Sequence, residues 1–425
     1  MENLKNFLFN NLNPRQTILK NAFWLYFSEI ISKGLRFLVF IYIIRTLGPK
    51  DFGIFEYLLS FVGIFFVFAD FGTSNIFIRN YQQQEDKEKH VNIFFVLKIF
   101  LGVVFSLVAL FAYFISKKFN GFLFYFSFII FYFLMNIENF FESFFIALQK
   151  TEKKFLFNIL MSLSLFFFVF LGLTILKKIS VVILAYILSA LISIIFAYFL
   201  TLEEIKIKIF FDFELAKKYL FNGLPLVLFG LLGYIFFYTD KIILGHLRPL
   251  EEVGYYSLAS RIVSVLFFIP SLFYTALYPY LAKKVVEKEE KAIKFLFKNI
   301  LVGSILVGFF LSLLIFVLAP IVIPAFFGDK YSFSIKVLQM LVWIIVFVFP
   351  TIFLDYFLIS YNREWLDFWI TFIPACLNVF LNFVLIPIYG LYGAVYSSIL
   401  SQFLNFILTL GAASLVMVKE KNRKI

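Results

Sequence analysis

The sequence has few of the residues that form catalytic or metal sites. Among 425 residues there are two histidines and one cysteine, Cys376. A single cysteine excludes an intramolecular disulfide and a cysteine-based metal cluster. Cys376 lies in an apolar stretch, where we expect it to be a small buried side chain. The sequence also lacks a phosphate-binding loop, an HExxH sequence and a nucleophile elbow. We therefore expect no catalytic residues, no metal and no cofactor.

Charge is scarce as well, at 15% of residues, whereas 62% are hydrophobic and 22% aromatic. The mean hydropathy of +0.95 lies far outside the range of soluble domains. Apolar runs of about 20 residues recur, and each is long enough to cross a hydrocarbon core as a helix. The first run, 18–44, is too long for a signal peptide and no cleavage site follows it, so we expect it to remain as a span. The sequence predicts an all-α integral membrane protein.

The apolar runs predict twelve membrane spans. They lie near 18–46, 52–79, 91–116, 120–148, 155–177, 180–202, 219–245, 254–281, 299–324, 333–360, 365–387 and 391–417. Six spans fall on each side of a polar segment. We predict two six-helix lobes, 1–202 and 219–425, around a central cleft, with 203–218 as a cytoplasmic linker.

The formal charge of +12 invites a nucleic-acid interpretation, but the positions of the charges argue against it. Of the 38 lysines and arginines, 24 fall in one set of alternate loops and termini, nine in the other set and five within spans. Because cytoplasmic loops carry the excess of Lys and Arg, both termini are predicted to be cytoplasmic. The basicity reflects membrane topology, and no nucleic-acid partner is expected.

Two further patterns concern organisation. Residues 47–55 (LGPKDFGIF) resemble 247–256 (LRPLEEVGYY) with one insertion, which suggests an internal repeat; the alternative is that any outer hairpin needs Pro and Gly. Lysines recur at helical spacing between Lys283 and Lys298, with Glu287 and Glu290 four residues before Lys291 and Lys294. This run predicts a cytoplasmic surface helix facing anionic lipid headgroups.

Ionisable residues within spans are the candidates for function, because each costs about 2.5–3.5 kcal/mol at the centre of a span. In the first span Glu29, Lys33 and Arg36 share one helical face. A Glu29–Lys33 pair that only packs helices is the alternative, but it leaves Arg36 without an anion on its own helix.

The second, seventh and eighth spans add Asp70, Asp240, Lys241 and Arg261 on polar stripes, and we expect these stripes to face the cleft. Neighbours on a helix point about 100° apart, so Asp240 and Lys241 should reach different partners. Arg36 and Arg261 are the candidates for binding an anionic phosphate group.

Three other carboxylates are weaker candidates for an ion-coupling site. These are Glu138 and Glu142 in the fourth span and Asp355 in the tenth. Hydrogen bonding between helices, or a place near the headgroups, explains them equally well.

Four segments carry a family resemblance: 45–53 (RTLGPKDFG), 69–73 (ADFGT), 239–245 (TDKIILG) and 253–259 (VGYYSLA). With them the chain resembles polysaccharide-biosynthesis flippases, the Wzx-type branch of the multidrug and oligosaccharidyl-lipid exporter (MOP) superfamily. The resemblance implies alternating-access export of an undecaprenyl-diphosphate-linked O-antigen, capsule or exopolysaccharide unit across the inner membrane. It implies membrane lipids as partners, with a glycan polymerase and glycosyltransferases as neighbours. Arg36, Asp240, Lys241 and Arg261 carry over as lumen residues.

Two other functions are compared with the sequence pattern. A cation-coupled multidrug or small-molecule antiporter shares the twelve-span plan, and its coupling carboxylates would be sought in Asp70, Glu138 or Asp355. A glycan-polymerising or ligating enzyme would need a large outer loop with catalytic groups, which the short outer connections do not provide. We therefore expect a transporter and not an enzyme.

Overall fold

The computed structural model describes residues 13–116, 121–205 and 207–422, and this part of the chain folds into 12 long helices and no strands. In chain order they are α1 (Pro14–Thr46), α2 (Pro49–Gln83), α3 (Lys87–Ser116), α4 (Phe122–Ala147), α5 (Thr151–Leu176), α6 (Ile179–Leu202), α7 (Phe213–Leu247), α8 (Leu250–Val286), α9 (Glu290–Phe327), α10 (Phe333–Ser360), α11 (Glu364–Tyr389) and α12 (Leu391–Asn422). The predicted all-α membrane fold is confirmed.

The helices α2 to α12 are the 11 in the described residues that are long and apolar enough to cross a membrane. Large apolar side chains such as Leu107, Phe111 and Phe310 lie exposed on them, as expected for surfaces that face lipid. The helix α1 is 33 residues long, but Glu29, Lys33 and Arg36 interrupt its apolar stretch. Its role as a twelfth span stays a prediction.

The chain forms two compact units. The first unit contains the described residues up to Leu47 and Leu58–Leu231, and the second contains Gly48–Tyr57 and the described residues from Leu232 onward. These units differ from the predicted halves, because the first turns of α2 group with the second unit and the first half of α7 with the first unit. Both helices are 35 residues long, enough for their two ends to pack against different neighbours. The six-plus-six division into lobes stays a prediction.

Within the first unit, α2 changes direction at Gly72, which has a left-handed backbone with φ +67°. A Cβ at this position would lie 2.7 Å from the carbonyl oxygen of Gly223 in α7. Both the backbone conformation and the close approach require glycine here. After this change of direction the end of α2 continues as a short helix, Thr73–Asn80.

Two expectations about local structure are wrong. The basic run does not form a separate surface helix: α8 ends at Val286, Lys288 has φ 56° and α9 begins at Glu290. Glu287 pairs with Lys284 at 3.0 Å across this turn, because the break in the helix removes the spacing that would bring it to Lys291. The expected contact of Glu290 with Lys294 forms within α9, at 3.7 Å. Cys376 is exposed, since it lies on the outward face of α11.

Candidate functional site

A buried ion cluster joins α2, α7 and α8 in the second unit. The side chain of Glu56 is fully buried, and Lys241 Nζ lies 2.8 Å from its Oε2. Arg261 donates to the other oxygen, Oε1, through Nε at 3.0 Å and through Nη2. One carboxylate therefore holds two cations. Two cations on one anion leave this cluster with a net positive charge.

Asp240, the neighbour of Lys241, belongs to a different network. Its carboxylate accepts hydrogen bonds from Tyr256, from Asn382 Nδ2 at 2.5 Å and from Ser398 Oγ at 2.5 Å. These donors lie on α8, α11 and α12, so Asp240 ties three helices to α7. The prediction that Asp240 and Lys241 reach different partners is confirmed.

A turn of π-helix, Ile235–Thr239, comes immediately before these two residues in α7. The extra residue in such a turn shifts the register of the side chains that follow, and π-turns are frequent at functional sites. The rings of Tyr234 and Tyr238 stack across the turn at 4.4 Å, and Lys241 Nζ lies 5.2 Å from the Tyr238 ring centroid. The π-turn thus sets the direction in which Lys241 points.

A cavity of about 170 Å³ opens beside the cluster, within the second unit. Of the described residues that line it, the charged ones are Lys241 and Arg261. The side chain of Arg261 is 36% exposed and that of Lys241 is 5% exposed, so Arg261 is the cation that a ligand can reach. The remaining lining combines hydroxyl and amide groups with aromatic rings and three aliphatic side chains: Ser260, Ser264, Asn378, Ser398, Ser401, Gln402, Phe236, Phe237, Tyr238, Tyr256, Phe267, Val263, Leu341 and Ile344. This lining suits an anionic, polar ligand.

The predicted residues of the first span lie in the first unit. Lys33 Nζ is 3.0 Å from Glu29 Oε2, so the expected pair forms, and Lys154 Nζ lies 3.9 Å from the other oxygen of Glu29. Arg36 is exposed, and its Nη2 lies 3.4 Å from the sulfur of Met161. Its predicted role in binding phosphate is untested by this geometry.

The other predicted carboxylates are already engaged within their own units. Asp70 contacts the fully buried Lys98 and accepts a hydrogen bond from Ser74. Glu138 accepts a hydrogen bond from Ser193 Oγ at 2.7 Å, and Glu142 lies 3.7 Å from Lys154 Nζ. Asp355 lies beside Asp367 of α11. Ion coupling at Glu138, Glu142 or Asp355 stays a prediction.

Sequence reasoning missed the partner at the centre of the cluster. Glu56 is not among the candidate residues drawn from the sequence. Its signal was available: an acidic residue in an apolar helix, two helical turns after Leu47 and at the start of the span. Lys98 and Tyr256 were missed as partners because no periodicity within one helix identifies a contact made by another helix.

Two relatives are similar to this chain along most of its length. The capsular polysaccharide biosynthesis protein CapF of Staphylococcus aureus is 24% identical over 402 residues, covering 92% of this chain and 98% of CapF. The membrane protein MJ1068 of Methanocaldococcus jannaschii is 23% identical over 432 residues, covering 93% of this chain and 84% of that protein.

Solved structures share the fold. An inward-facing multidrug resistance transporter of the MATE family, MOP superfamily, has a TM-score of 0.76 at 15% identity, covering 91% of this chain and 95% of that one. The lipid II flippase MurJ, in an inward closed conformation, has a TM-score of 0.73 at 13% identity, covering 93% and 87%. The fold is that of these membrane transporters.

Family comparison agrees with the motifs. Residues 225–384 match the MatE family, and residues 18–285 match the family described as polysaccharide biosynthesis protein. The second of these matches covers more than half of the chain and includes the cluster of Glu56, Lys241 and Arg261. The protein is therefore a multi-pass membrane protein that belongs to the polysaccharide biosynthesis protein family.

Proposed function

We propose that this protein flips an undecaprenyl-diphosphate-linked oligosaccharide across the cytoplasmic membrane. The observation that carries the proposal is the cavity beside α7 and α8, whose charged lining residues are two cations. A diphosphate is an anion that a guanidinium group recognises through paired, charge-assisted hydrogen bonds. The hydroxyl, amide and aromatic lining suits the sugars attached to it.

The two cations have different roles in this proposal. Lys241 is enclosed and bound to Glu56 Oε2, so it neutralises the buried carboxylate and fixes its position. Arg261 is partly exposed toward the cavity and shares its guanidinium between Glu56 and the ligand. Glu56 holds the planar fork of Arg261 in place before the ligand arrives, which reduces the entropy lost on binding.

The family and fold also accommodate a cation-coupled multidrug antiporter. The observation that favours an antiporter is the match of residues 225–384 to the MatE family. Such a protein would export cations or amphiphilic drugs, and a cavity whose charged lining residues are cations would repel cationic drugs. Reconstituted vesicles loaded with a cationic dye distinguish the two functions. An antiporter of this kind moves the dye, whereas the proposed flippase does not.

The test is flipping of undecaprenyl-diphosphate-linked oligosaccharide in reconstituted vesicles. We expect Arg261→Gln to slow flipping about 10- to 100-fold, because the variant loses one or two charge-assisted hydrogen bonds to the diphosphate. Arg261→Lys should fall between this variant and the parent, because it keeps the charge but loses the fork.

Arg248→Gln is the matched control. Arg248 is also on the second unit, is 40% exposed and pairs with one carboxylate, Glu252, at 3.2 Å, but it does not line the cavity. We expect it to flip substrate at the parental rate. Parental flipping by Arg261→Gln, at equal protein abundance, would contradict the proposal.

A further inference from the structure

A second cavity of the second unit is apolar and lies further along α8. It measures about 440 Å³ and is formed by one face each of α8 and α9 over the ring of Phe349 in α10. On α9 the lining residues are Asn299, Ile300, Gly303, Ser304 and Val307, which recur at helical spacing. Among the described residues that line this groove none carries a charge.

The groove has the form of an open channel on the side of the unit. Its floor is buried, with Phe349 2% and Tyr274 4% exposed, whereas Phe273 and Val307 on its rims are 58% and 54% exposed. The helices around it are long and apolar enough to cross a membrane, and the exposed rim residues are apolar, which is the character of a surface that contacts lipid. A groove with this lining suits a hydrocarbon chain better than a phosphate.

The kink of α8 explains why the groove exists. Two helical segments of α8 meet at Phe267, and Pro270, three residues later, has no backbone N–H to continue the ladder. Opposite this kink α9 presents Gly303, which has no atom within 4 Å of the position of a Cβ. A kink on one side and a missing side chain on the other leave the space open.

The groove and the cationic cavity follow one another on the same helix. Arg261 and Phe267 line the cavity, and the groove begins at Ile269, about 12 Å along α8 from Arg261. In a polyprenyl diphosphate the isoprenoid chain is attached directly to the phosphate. A molecule whose phosphate lies at Arg261 therefore carries its chain toward a hydrocarbon-lined site at this distance.

We propose that the groove between α8 and α9 binds the isoprenoid chain of the lipid-linked substrate. This inference rests on the proposed function and adds to it a site that selects long prenyl carriers. Chain binding contributes affinity in proportion to the apolar area that it buries. A carrier too short to fill the groove loses that contribution.

Gly303→Leu tests the groove, because Gly303 lines it and a Cβ at this position has no atom within 4 Å, so the added side chain starts in open space. Gly411→Leu on α12 is the matched control: Gly411 also has nothing within 4 Å of a Cβ, but it does not line the groove. Flipping of the same oligosaccharide diphosphate is measured on an undecaprenyl and on a farnesyl carrier, in vesicles of phosphatidylethanolamine and phosphatidylglycerol.

We expect Gly303→Leu to slow flipping of the undecaprenyl substrate about tenfold, the effect of displacing about two CH₂ groups, and to change the farnesyl substrate by less than about twofold. Gly411→Leu should match the parent on both. If Gly303→Leu flips the undecaprenyl substrate at the parental rate, the groove holds a bulk phospholipid chain and the inference is wrong. An equal loss on both carriers would also overturn the inference. If the parental protein flips the oligosaccharide on neither carrier, the proposed function itself is wrong.

A second measurement does not depend on how the variant folds. An undecaprenyl diphosphate with a benzophenone on an isoprene unit near its diphosphate is photo-cross-linked to the parental protein in the same vesicles. We expect label within 300–307 or 269–274, and competition by undecaprenyl diphosphate but not by added phosphatidylglycerol. Label elsewhere, or equal competition by phosphatidylglycerol, contradicts binding of the prenyl chain.

Discussion

In the second unit Gly53 of α2 packs against the start of α8, and Gly254 of α8 packs against the start of α2. A Cβ on Gly53 would lie 1.7 Å from the carbonyl oxygen of Leu250, and a Cβ on Gly254 would lie 2.0 Å from the carbonyl oxygen of Pro49. Pro49 and Leu250 are the first residues of α2 and α8, and each glycine comes four residues later. The two segments that resemble each other in sequence thus cross backbone to backbone, the arrangement that small residues permit in membranes.

This crossing predicts that alanine is not tolerated at either glycine. We expect Gly53→Ala and Gly254→Ala each to destabilise the protein by about 1–3 kcal/mol, because a backbone carbonyl has to move to admit the methyl group. Thermal unfolding of purified protein in nanodiscs measures the change. Gly411→Ala, whose methyl group enters open space, is the control. Equal melting temperatures for all three variants and the parent would disprove the close crossing.

The ion cluster predicts unequal effects at its two buried members. Glu56→Gln should destabilise the protein by about 3–5 kcal/mol, because it leaves Lys241 enclosed without its counter-ion. Lys241→Met should cost less, since Arg261 still neutralises Glu56. The double variant should be more stable than Glu56→Gln alone, because no enclosed lysine remains.

Chemical denaturation of the four proteins measures this coupling, with the exposed Lys330→Met as a control for loss of a charge. If the effects of Glu56→Gln and Lys241→Met simply add in the double variant, the two side chains are not energetically coupled.

The Glu29–Lys33 pair predicts partial rescue by charge reversal. Both side chains are partly exposed, so the pair itself contributes only about 0.3–0.5 kcal/mol. Glu29→Lys brings a new cation toward both Lys33 and Lys154. Adding Lys33→Glu restores the pair but not the contact with Lys154, so transport should recover above the Glu29→Lys level and stay below the parental level. The vesicle flipping assay checks this order, and equal loss in the single and double variants would remove the proposed pairing.

Topology provides an independent prediction. A topology reporter fused after Lys421 should report a cytoplasmic location. One inserted near Pro249 should report a periplasmic location. The physical reason is the excess of lysine and arginine on one set of loops. Five helices, α8 to α12, lie between these two positions, so a periplasmic signal at both would mean that an odd number of these helices does not cross the membrane.

Much of the fold follows from the sequence, because lipid leaves few alternatives. A backbone in hydrocarbon has to satisfy its hydrogen bonds within one segment, so an apolar run of about 20 residues becomes a helix without help from its neighbours. The predicted spans therefore match α2 to α12 to within a few residues at most ends. The largest difference is at α9, which begins nine residues before the predicted span, because the basic run continues the same helix.

The site depended on tertiary structure. Helical period shows which residues share a face, and the energy cost of a buried charge shows that Lys241 and Arg261 need a partner. Neither identifies the helix that supplies it. Glu56 lies 185 residues from Lys241 and 205 from Arg261, and it meets them because the first turns of α2 pack beside α7 and α8. The sequence alone determined that these charges lie within the membrane, whereas packing between helices decided that two of them share one carboxylate and line one cavity.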